Sequence, residues 1–476
     1  MPLTSFKHAI DFSDPIAAFR NGLIGEGVMI PGLNGDVPLV YADYVASGRA
    51  LQQVESFMLE EVLPYYANSH TEASYCGAYM TKLRAAARAE IARLTGAGPD
   101  CAVVFSGSGA TAGINQLVSL LGVNEVKKAV VFVGPYEHHS NILPWRESAA
   151  TVVEIPEAST GGPDLTYLET ALETYADFDL KIGAFSKASN VTGILTDDEK
   201  TTGLLKSHGA LAVWDYAGAG PYVSIDMGQG DLAKDAVVIS PHKFAGGPGS
   251  SGILVLRRAS VVRDKPSRPG GGTVDFVSPW AQAYSQKVEA REEAGTPNVL
   301  GDIRAALAFL VKERVGYALI SERETKFCSA AMAAFLAHPQ IEVLGNMTAK
   351  RLPIFSLCIT DSKGAPIHQQ LFTRMLSDVY GIQARGGCAC AGPYAHRLLG
   401  IERPESEALL AAIRGGEELR KPGWVRLNFS YLMADETAHK VIHSLIELAE
   451  NAQEYMEYYQ ADAATARFVP RVKRAS

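Results

Sequence analysis

Ala236-Val237-Val238-Ile239-Ser240-Pro241-His242-Lys243-Phe244-Ala245-Gly246-Gly247 is the stretch on which the fold turns. Four apolar residues make a short buried strand, and the turn after it presents a lysine beside a histidine. Gly249 and Gly252 follow, and a second apolar run, 252–256, resumes at once. A lysine held on such a turn can lose part of its solvation. That loss disfavours the ammonium and leaves an amine able to condense with a carbonyl. Most loop lysines are ordinary surface charges. Asp215 shifts the balance, because it closes the apolar run 211–214 just upstream. A carboxylate at the end of a buried strand needs a cationic partner.

The chain has 476 residues, too many for one compact core, so two domains are expected. Hydrophobic residues at 47% and charged residues at 20% match an ordinary globular protein. The net charge of −8 gives no footing for a polyanion, so no nucleic-acid partner is expected. The basic tail (Arg467, Arg471, Lys473, Arg474) reads as a solvated end. No apolar run is long enough to span a bilayer, and Met1 to His8 lacks the pattern of a secretory signal. A cytoplasmic location with no membrane attachment is therefore expected. Six cysteines in so long a chain do not form a disulfide framework. Cys76, Cys101, Cys328 and Cys358 stand alone and read as inert buried thiols, whereas Cys388 and Cys390 lie close together in a glycine-rich loop.

Strands are predicted at 102–105, 129–133, 151–155, 182–185, 211–214, 237–239 and 253–256, with helices at 110–121, 165–175 and 198–208 between them. This alternation predicts an α/β fold with a mostly parallel seven-stranded sheet covered on both faces. Ligands of such sheets sit beyond the carboxyl ends of the strands. After Gly295-Thr296-Pro297-Asn298 the texture changes. One long helix is predicted from about 300 through 325, then strands at 353–359 and 425–429 and helices at 368–379 and 438–458. The expected division is an N-terminal segment 1–40 lying over a domain surface, a large domain 41–319, and a smaller α+β domain 320–476.

Four features fall at predicted strand ends. Ser106-Gly107-Ser108-Gly109-Ala110-Thr111 precedes a helix, where backbone N–H groups favour an anion; it has neither dinucleotide nor P-loop spacing. Glu137-His138-His139-Ser140-Asn141 offers a histidine that can lie flat on an aromatic ring. Paired histidines can also bind metal, but no nearby carboxylate or thiol spacing supports this, so no metal is expected. Ser189-Asn190-Val191-Thr192-Gly193 reads as a turn or as an amide donor to a phenolate. Asp215 can cap a turn or pair with a protonated pyridine. Each alone has an ordinary structural reading. In this order, with Ser240-Pro241-His242-Lys243 last, they describe a pyridoxal phosphate site.

With these motifs the chain resembles the class V aminotransferase family of fold-type I pyridoxal phosphate enzymes. Within it, the chain is similar to the group II cysteine desulfurases and selenocysteine lyases over about residues 41–446. The most specific pieces are Glu137 to Trp145, Asp215, Ser240 to Lys243, Glu293-Ala294-Gly295-Thr296-Pro297-Asn298 and Arg385-Gly386-Gly387-Cys388-Ala389-Cys390-Ala391. The resemblance implies that Lys243 carries the Schiff base, Asp215 pairs with the pyridine nitrogen, His138 stacks on the ring and Asn190 faces the phenolic oxygen. Gly109, Ala110, Thr111, Ser240 and His242 would hold the phosphate. Thr296 would reach the phosphate of a neighbouring subunit, which implies a homodimer. Gly218 stands where cysteine desulfurases usually have glutamine.

The resemblance also puts Cys390 at the position of the sulfur-accepting nucleophile, with Cys388 as an extra thiol. Molybdenum-cofactor sulfurases carry a similar Gly-Cys-x-Cys loop. Arg385 can lower a nearby thiol pKa, and Arg426 would grip the α-carboxylate of a small amino-acid substrate. The implied reaction is a cysteine desulfurase's: L-cysteine to alanine, with a persulfide left on the enzyme for a sulfur-acceptor protein. Two alternatives stay open. One is an aminotransferase, epimerase or β-eliminating C–S lyase that needs no thiol, and the other is a cofactor-binding regulatory protein.

Overall fold

The computed structural model describes residues 3–69 and 72–471 and divides into two compact units. The first comprises the residues up to Ile24, Ser47–Ser189 and Leu195–Ser321. Its centre is a seven-stranded sheet built from β1 (Cys101–Gly107), β2 (Ala129–Val133), β3 (Thr151–Glu154), β4 (Leu180–Ser186), β5 (Leu211–Asp215), β6 (Ala236–Ile239) and β7 (Gly252–Arg257), in the spatial order β1-β7-β6-β5-β4-β2-β3. Strands β6, β5, β4, β2 and β3 pair in parallel, and β7 is antiparallel to both β1 and β6. The central strands are short, largely apolar runs, such as Val213-Trp214 and Ala236-Val237-Val238-Ile239, because both faces are covered.

Helix α1 (Gly109–Leu120) buries Ala110, Ile114 and Leu117 against Val104, Val238 and Leu254. That spacing is one apolar stripe of a helix. At Gly113 an added Cβ would come within 3.0 Å of Val238, so glycine sets how closely α1 lies on the sheet. Helices α2 (Leu165–Thr174) and α3 (Asp198–Ser207) are each N-capped by an aspartate, Asp164 and Asp197. The parallel arrangement brings the carboxyl ends of β2, β4, β5 and β6 to one edge of the sheet.

The single long helix expected from about 300 is two helices, α4 (Val299–Val315) and α5 (Tyr317–Leu336). Gly316, at φ 83° and ψ 142°, breaks the run because that conformation cannot continue a right-handed helix. The N-terminal segment is not merely draped over a surface. Helices Thr4–Ala9 and Pro15–Asn21 bury Phe6 and Phe19 in the first unit.

The second unit comprises Gly25–Ala46, Asn190–Ile194 and the chain from Glu322. Its antiparallel sheet contains β8 (Ile341–Val343), β9 (Ile354–Ile359), β10 (Arg385–Gly387) and β11 (Trp424–Asn428), in the order β8-β9-β11-β10. Helices α6 (Gln369–Tyr380) and α7 (Asp435–Met456) complete a core that includes Phe355, Leu357, Phe372, Leu376, Leu427 and Leu445. The basic tail is not a free solvated end. Tyr459–Asp462 and Arg467–Pro470 form a hairpin, and Arg471 Nε donates to the carbonyl of Tyr459 at 3.0 Å. Lys473 and Arg474 lie outside the described residues. Among the described residues no helix is long and apolar enough to cross a membrane.

Candidate active site

In the first unit, Lys243 closes a short 3-10 turn, Pro241–Lys243, directly after β6. Its N–H donates to Ser240 O at 3.0 Å, and Gly48 N donates to His242 O at 2.8 Å. A Cβ on Gly48 would lie 1.9 Å from the Phe244 carbonyl, so only glycine lets that segment approach the turn. Lys243 is half-buried, and its charge bears on both Asp215 and His242. Burial pushes the Asp215 carboxyl up, while the Ala217 N–H (2.7 Å) and Lys243 oppose that shift. Burial and then Lys243 push His242 down to about 4, so its imidazole is neutral near pH 7.

The glycine-rich turn after β1 meets the same group. Ala110 N donates to Ser240 Oγ at 2.9 Å. Gly109 has φ 62°, and a Cβ there would lie 3.0 Å from Ser240 Oγ and 3.2 Å from His242 Cε1. At Gly107, φ 84°, a Cβ would meet nothing within 4 Å, so this side of the turn is open. Ser106 Oγ is buried with no hydrogen-bond partner among the described residues. Thr296 lines a cavity of about 250 Å³ together with Ser106, Gly107 and Arg268.

His138 N-caps a 3-10 turn, accepting from Ser140 N through Nδ1 at 3.1 Å, and Ser140 Oγ lies 2.7 Å from Thr111 Oγ1. The motif around it has a scaffold that the sequence reading left unassigned. Glu137 is fully buried and accepts from Ser186 N (2.8 Å), Ser186 Oγ (2.6 Å) and Asn141 Nδ2 (2.5 Å). Asn141 in turn accepts from Trp145 Nε1 at 3.1 Å. Burial pushes Glu137 up to about 7 against those hydrogen bonds. This chain of contacts ties the His138 turn to the end of β4. Glu293 likewise ties the loop bearing Thr296 to β1 through the Phe105 N–H (2.8 Å), and to the helix Tyr75–Leu94 through Arg84 (2.6 Å) and Arg88 (2.7 Å).

These residues fit a phosphorylated pyridine aldehyde. The open glycine turn at the start of α1 and the unpartnered Ser106 hydroxyl suit a phosphate. The buried Asp215 carboxylate suits a pyridinium nitrogen, and the Lys243 amine close to it suits an aldehyde.

In the second unit, Cys388 and Cys390 lie on a tight turn in which Ala391 N donates to Cys388 O at 3.2 Å. Ala389 (φ 54°) and Cys390 (φ 56°) are both left-handed, as at the central positions of a type I′ turn. Neither is glycine, so the turn stores about 1–2 kcal/mol at each residue. Asn190 holds it by donating from Nδ2 to Ala389 O at 2.8 Å, and Asn190 Oδ1 is buried with no partner among the described residues. Cys390 is exposed and Cys388 is half-buried. Arg426, on β11, is 3% exposed, and its guanidinium donates to Asn190 O (3.2 Å) and to Asp43 (2.8 Å). Cys390 lies within electrostatic reach of Arg426. Arg385 pairs with Asp43 through Nε at 3.0 Å. Among the described residues no cluster of His, Cys, Asp and Glu side chains is arranged to hold a metal ion.

Residues 40–415 match the family described as aminotransferase class-V. A probable cysteine desulfurase of Staphylococcus aureus is 28% identical over 392 residues, spanning 81% of this chain and 89% of the relative. One of Halalkalibacterium halodurans is 28% identical over 366 residues, spanning 76% and 86%. Two solved structures share the fold. The apo cysteine desulfurase of Thermococcus onnurineus has a TM-score of 0.72 at 24% identity, covering 86% of this chain and 94% of that one. The Escherichia coli cysteine desulfurase CsdA, as its S-sulfonic acid, has a TM-score of 0.71 at 22% identity, covering 91% and 98%. The α/β architecture, the strand-end constellation and a match over most of its length agree: the chain belongs to the class V aminotransferase family of pyridoxal phosphate-dependent enzymes.

Proposed function

We propose that the chain is a cysteine desulfurase that converts L-cysteine to alanine and leaves the sulfur as a persulfide on Cys390. The observation that carries this reading is the exposed Cys390 thiol, set on a left-handed turn within electrostatic reach of the buried Arg426. An exposed thiol on such a turn can reach a substrate sulfur.

Pyridoxal phosphate would be held by Lys243, Asp215, His138, Ser240, His242, Thr111 and the backbone at Gly109 and Ala110. When bound it supplies an electron-withdrawing ring that stabilises negative charge at the substrate α-carbon. The Asp215 carboxylate keeps a proton at the ring nitrogen. The Lys243 amine takes the proton from the α-carbon. The Arg426 fork grips the α-carboxylate. Cys390 Sγ attacks the substrate sulfur: an S–S bond forms and the C–S bond breaks, with its electron pair going to the β-carbon. The β-carbon gains the proton given up by the Cys390 thiol, Lys243 returns the α-proton, and the carbon skeleton leaves as alanine. Cys388 is an additional thiol on the same turn, and the sulfur then passes to an acceptor protein.

The working form is a homodimer, with Thr296 placed toward the neighbour's phosphate. Supporting this, the hairpin of Val274–Val277 and Gln282–Tyr284 exposes Phe276, Val277 and, in its loop, Trp280, which is 89% exposed. Contiguous exposed apolar side chains mark association surfaces. The activity is tested by supplying L-cysteine to the purified protein and measuring sulfide and alanine for wild type, Cys388→Ser and Cys390→Ser. Cys390→Ser should lower turnover at least ~10²-fold, as expected when a nucleophile is lost. Turnover that survives in both variants would favour a thiol-independent lyase.

A further inference from the structure

Asp43 sits where two cations would otherwise repel. Arg385 on β10 and Arg426 on β11 are direct cross-strand partners. Like charges placed opposite one another destabilise a sheet. Asp43 joins them, with Oδ1 on Arg426 Nη2 at 2.8 Å and Oδ2 on Arg385 Nε at 3.0 Å. Asp43 is 8% exposed and its pair with Arg426 is buried, whereas the Arg385 side chain lies at the surface.

The backbone around Asp43 is fixed from both sides. Val40 and Tyr41 pair in parallel with Ile382 and Gln383. Ala42 N donates to Gln383 O at 3.0 Å, and Asn428 N donates to Ala42 O at 2.8 Å. Asn428 Oδ1 accepts from Val45 N at 2.9 Å. The carboxylate is thus delivered to the guanidinium by rigid main chain.

The Arg426 guanidinium is pinned at one end by Asp43 and at the other by the Asn190 carbonyl, 3.2 Å from Nη1. A guanidinium has five donors, and these contacts use two of them. Nε is buried with no hydrogen-bond partner among the described residues. A buried unsatisfied donor is costly, and a carboxylate is the ligand that a planar fork satisfies best. Two arginines and one aspartate leave a net charge of +1, which a single carboxylate neutralises.

We propose that Asp43 is the positioning residue of the carboxylate clamp: it fixes the plane of the Arg426 fork so that the fork can take one substrate carboxylate. This rests on the reading of Arg426 as that clamp. Asp43 touches the fork rather than the reacting atoms, so its loss acts on binding and not on the chemical step.

The test measures KM and kcat for L-cysteine, and the affinity for L-alanine by calorimetry, in wild type, Asp43→Asn, Asp43→Glu and Arg426→Lys. Asp43→Asn should raise KM and weaken alanine binding by roughly tenfold with kcat within about twofold, and Asp43→Glu should recover part of the loss. A KM and alanine affinity unchanged in Asp43→Asn but impaired in Arg426→Lys would overturn the role of Asp43 while keeping the clamp. Values unchanged in Arg426→Lys would overturn the clamp itself. If Asp43→Asn does not fold, Asp43→Glu decides: a raised KM at wild-type Tm supports the role, and a wild-type KM, or a fall in kcat alone, overturns it.

Discussion

At the scale of single residues, burial resets the protonation balance of groups that scaffold the candidate site. Glu137 shows this most directly. Its carboxyl is raised to about 7 by burial, against about 4.3 in an unfolded chain. A group that binds its proton more tightly when folded contributes stability that is complete below the unfolded pKa and is lost as pH rises through the folded pKa. Wild-type stability should therefore fall between about pH 4.5 and pH 7.5 by an amount on the order of 3 kcal/mol from this group. In Glu137→Gln that fall should largely disappear, as measured by denaturant unfolding at several pH values. An identical pH profile in the two proteins would show that the carboxyl is not held protonated. The placement of Lys243, Asp215 and His138 at or after the ends of buried strands was legible in the sequence, because each lies at or beyond the end of an apolar run. Asp43 was not. Its partners Arg385 and Arg426 lie 342 and 383 positions away, and only the folded sheet brings them together. The one cue was a carboxylate between aromatic and aliphatic neighbours, Tyr41-Ala42-Asp43-Tyr44-Val45.

At the scale of elements, periodicity gave all seven strands of the large sheet, because buried strands in a mostly parallel sheet are short continuous apolar runs between helices. The break between α4 and α5 escaped because the apolar pattern runs on through Gly316, and a glycine inside a helical pattern is often tolerated. What decides it is the positive φ, which periodicity does not carry. Gly316→Ala should destabilise the chain by about 1–3 kcal/mol, because an L side chain is strained in that conformation. The check is a lower Tm without loss of helical circular dichroism. An unchanged Tm would mean the two helices join as one. The Cys388–Ala391 turn escaped for a similar reason. Its composition suggested a mobile glycine-rich loop, whereas two consecutive non-glycine residues sit in left-handed geometry under the Asn190 amide. Such strain persists only where the surroundings over-determine it.

At the scale of the whole molecule, each of the two units holds residues to which the family resemblance assigns a role, and the comparisons place the chain in that family over most of its length. The proposed homodimer predicts sedimentation at twice the 51.0 kDa chain mass. Trp280→Glu should weaken the association at least tenfold, because a charge would then be desolvated at an apolar contact. Sedimentation at the monomer mass across micromolar concentrations would remove the dimer. The central claim is that Cys390 takes sulfur from an amino acid activated at Lys243. Its most direct test is peptide mass spectrometry of the cofactor-loaded enzyme, quenched after one turnover with L-cysteine, with alanine quantified alongside. The account predicts one added sulfur atom on Cys390 for each alanine released, and neither in Lys243→Ala. Alanine or sulfide formed with no added sulfur on Cys390 would contradict it.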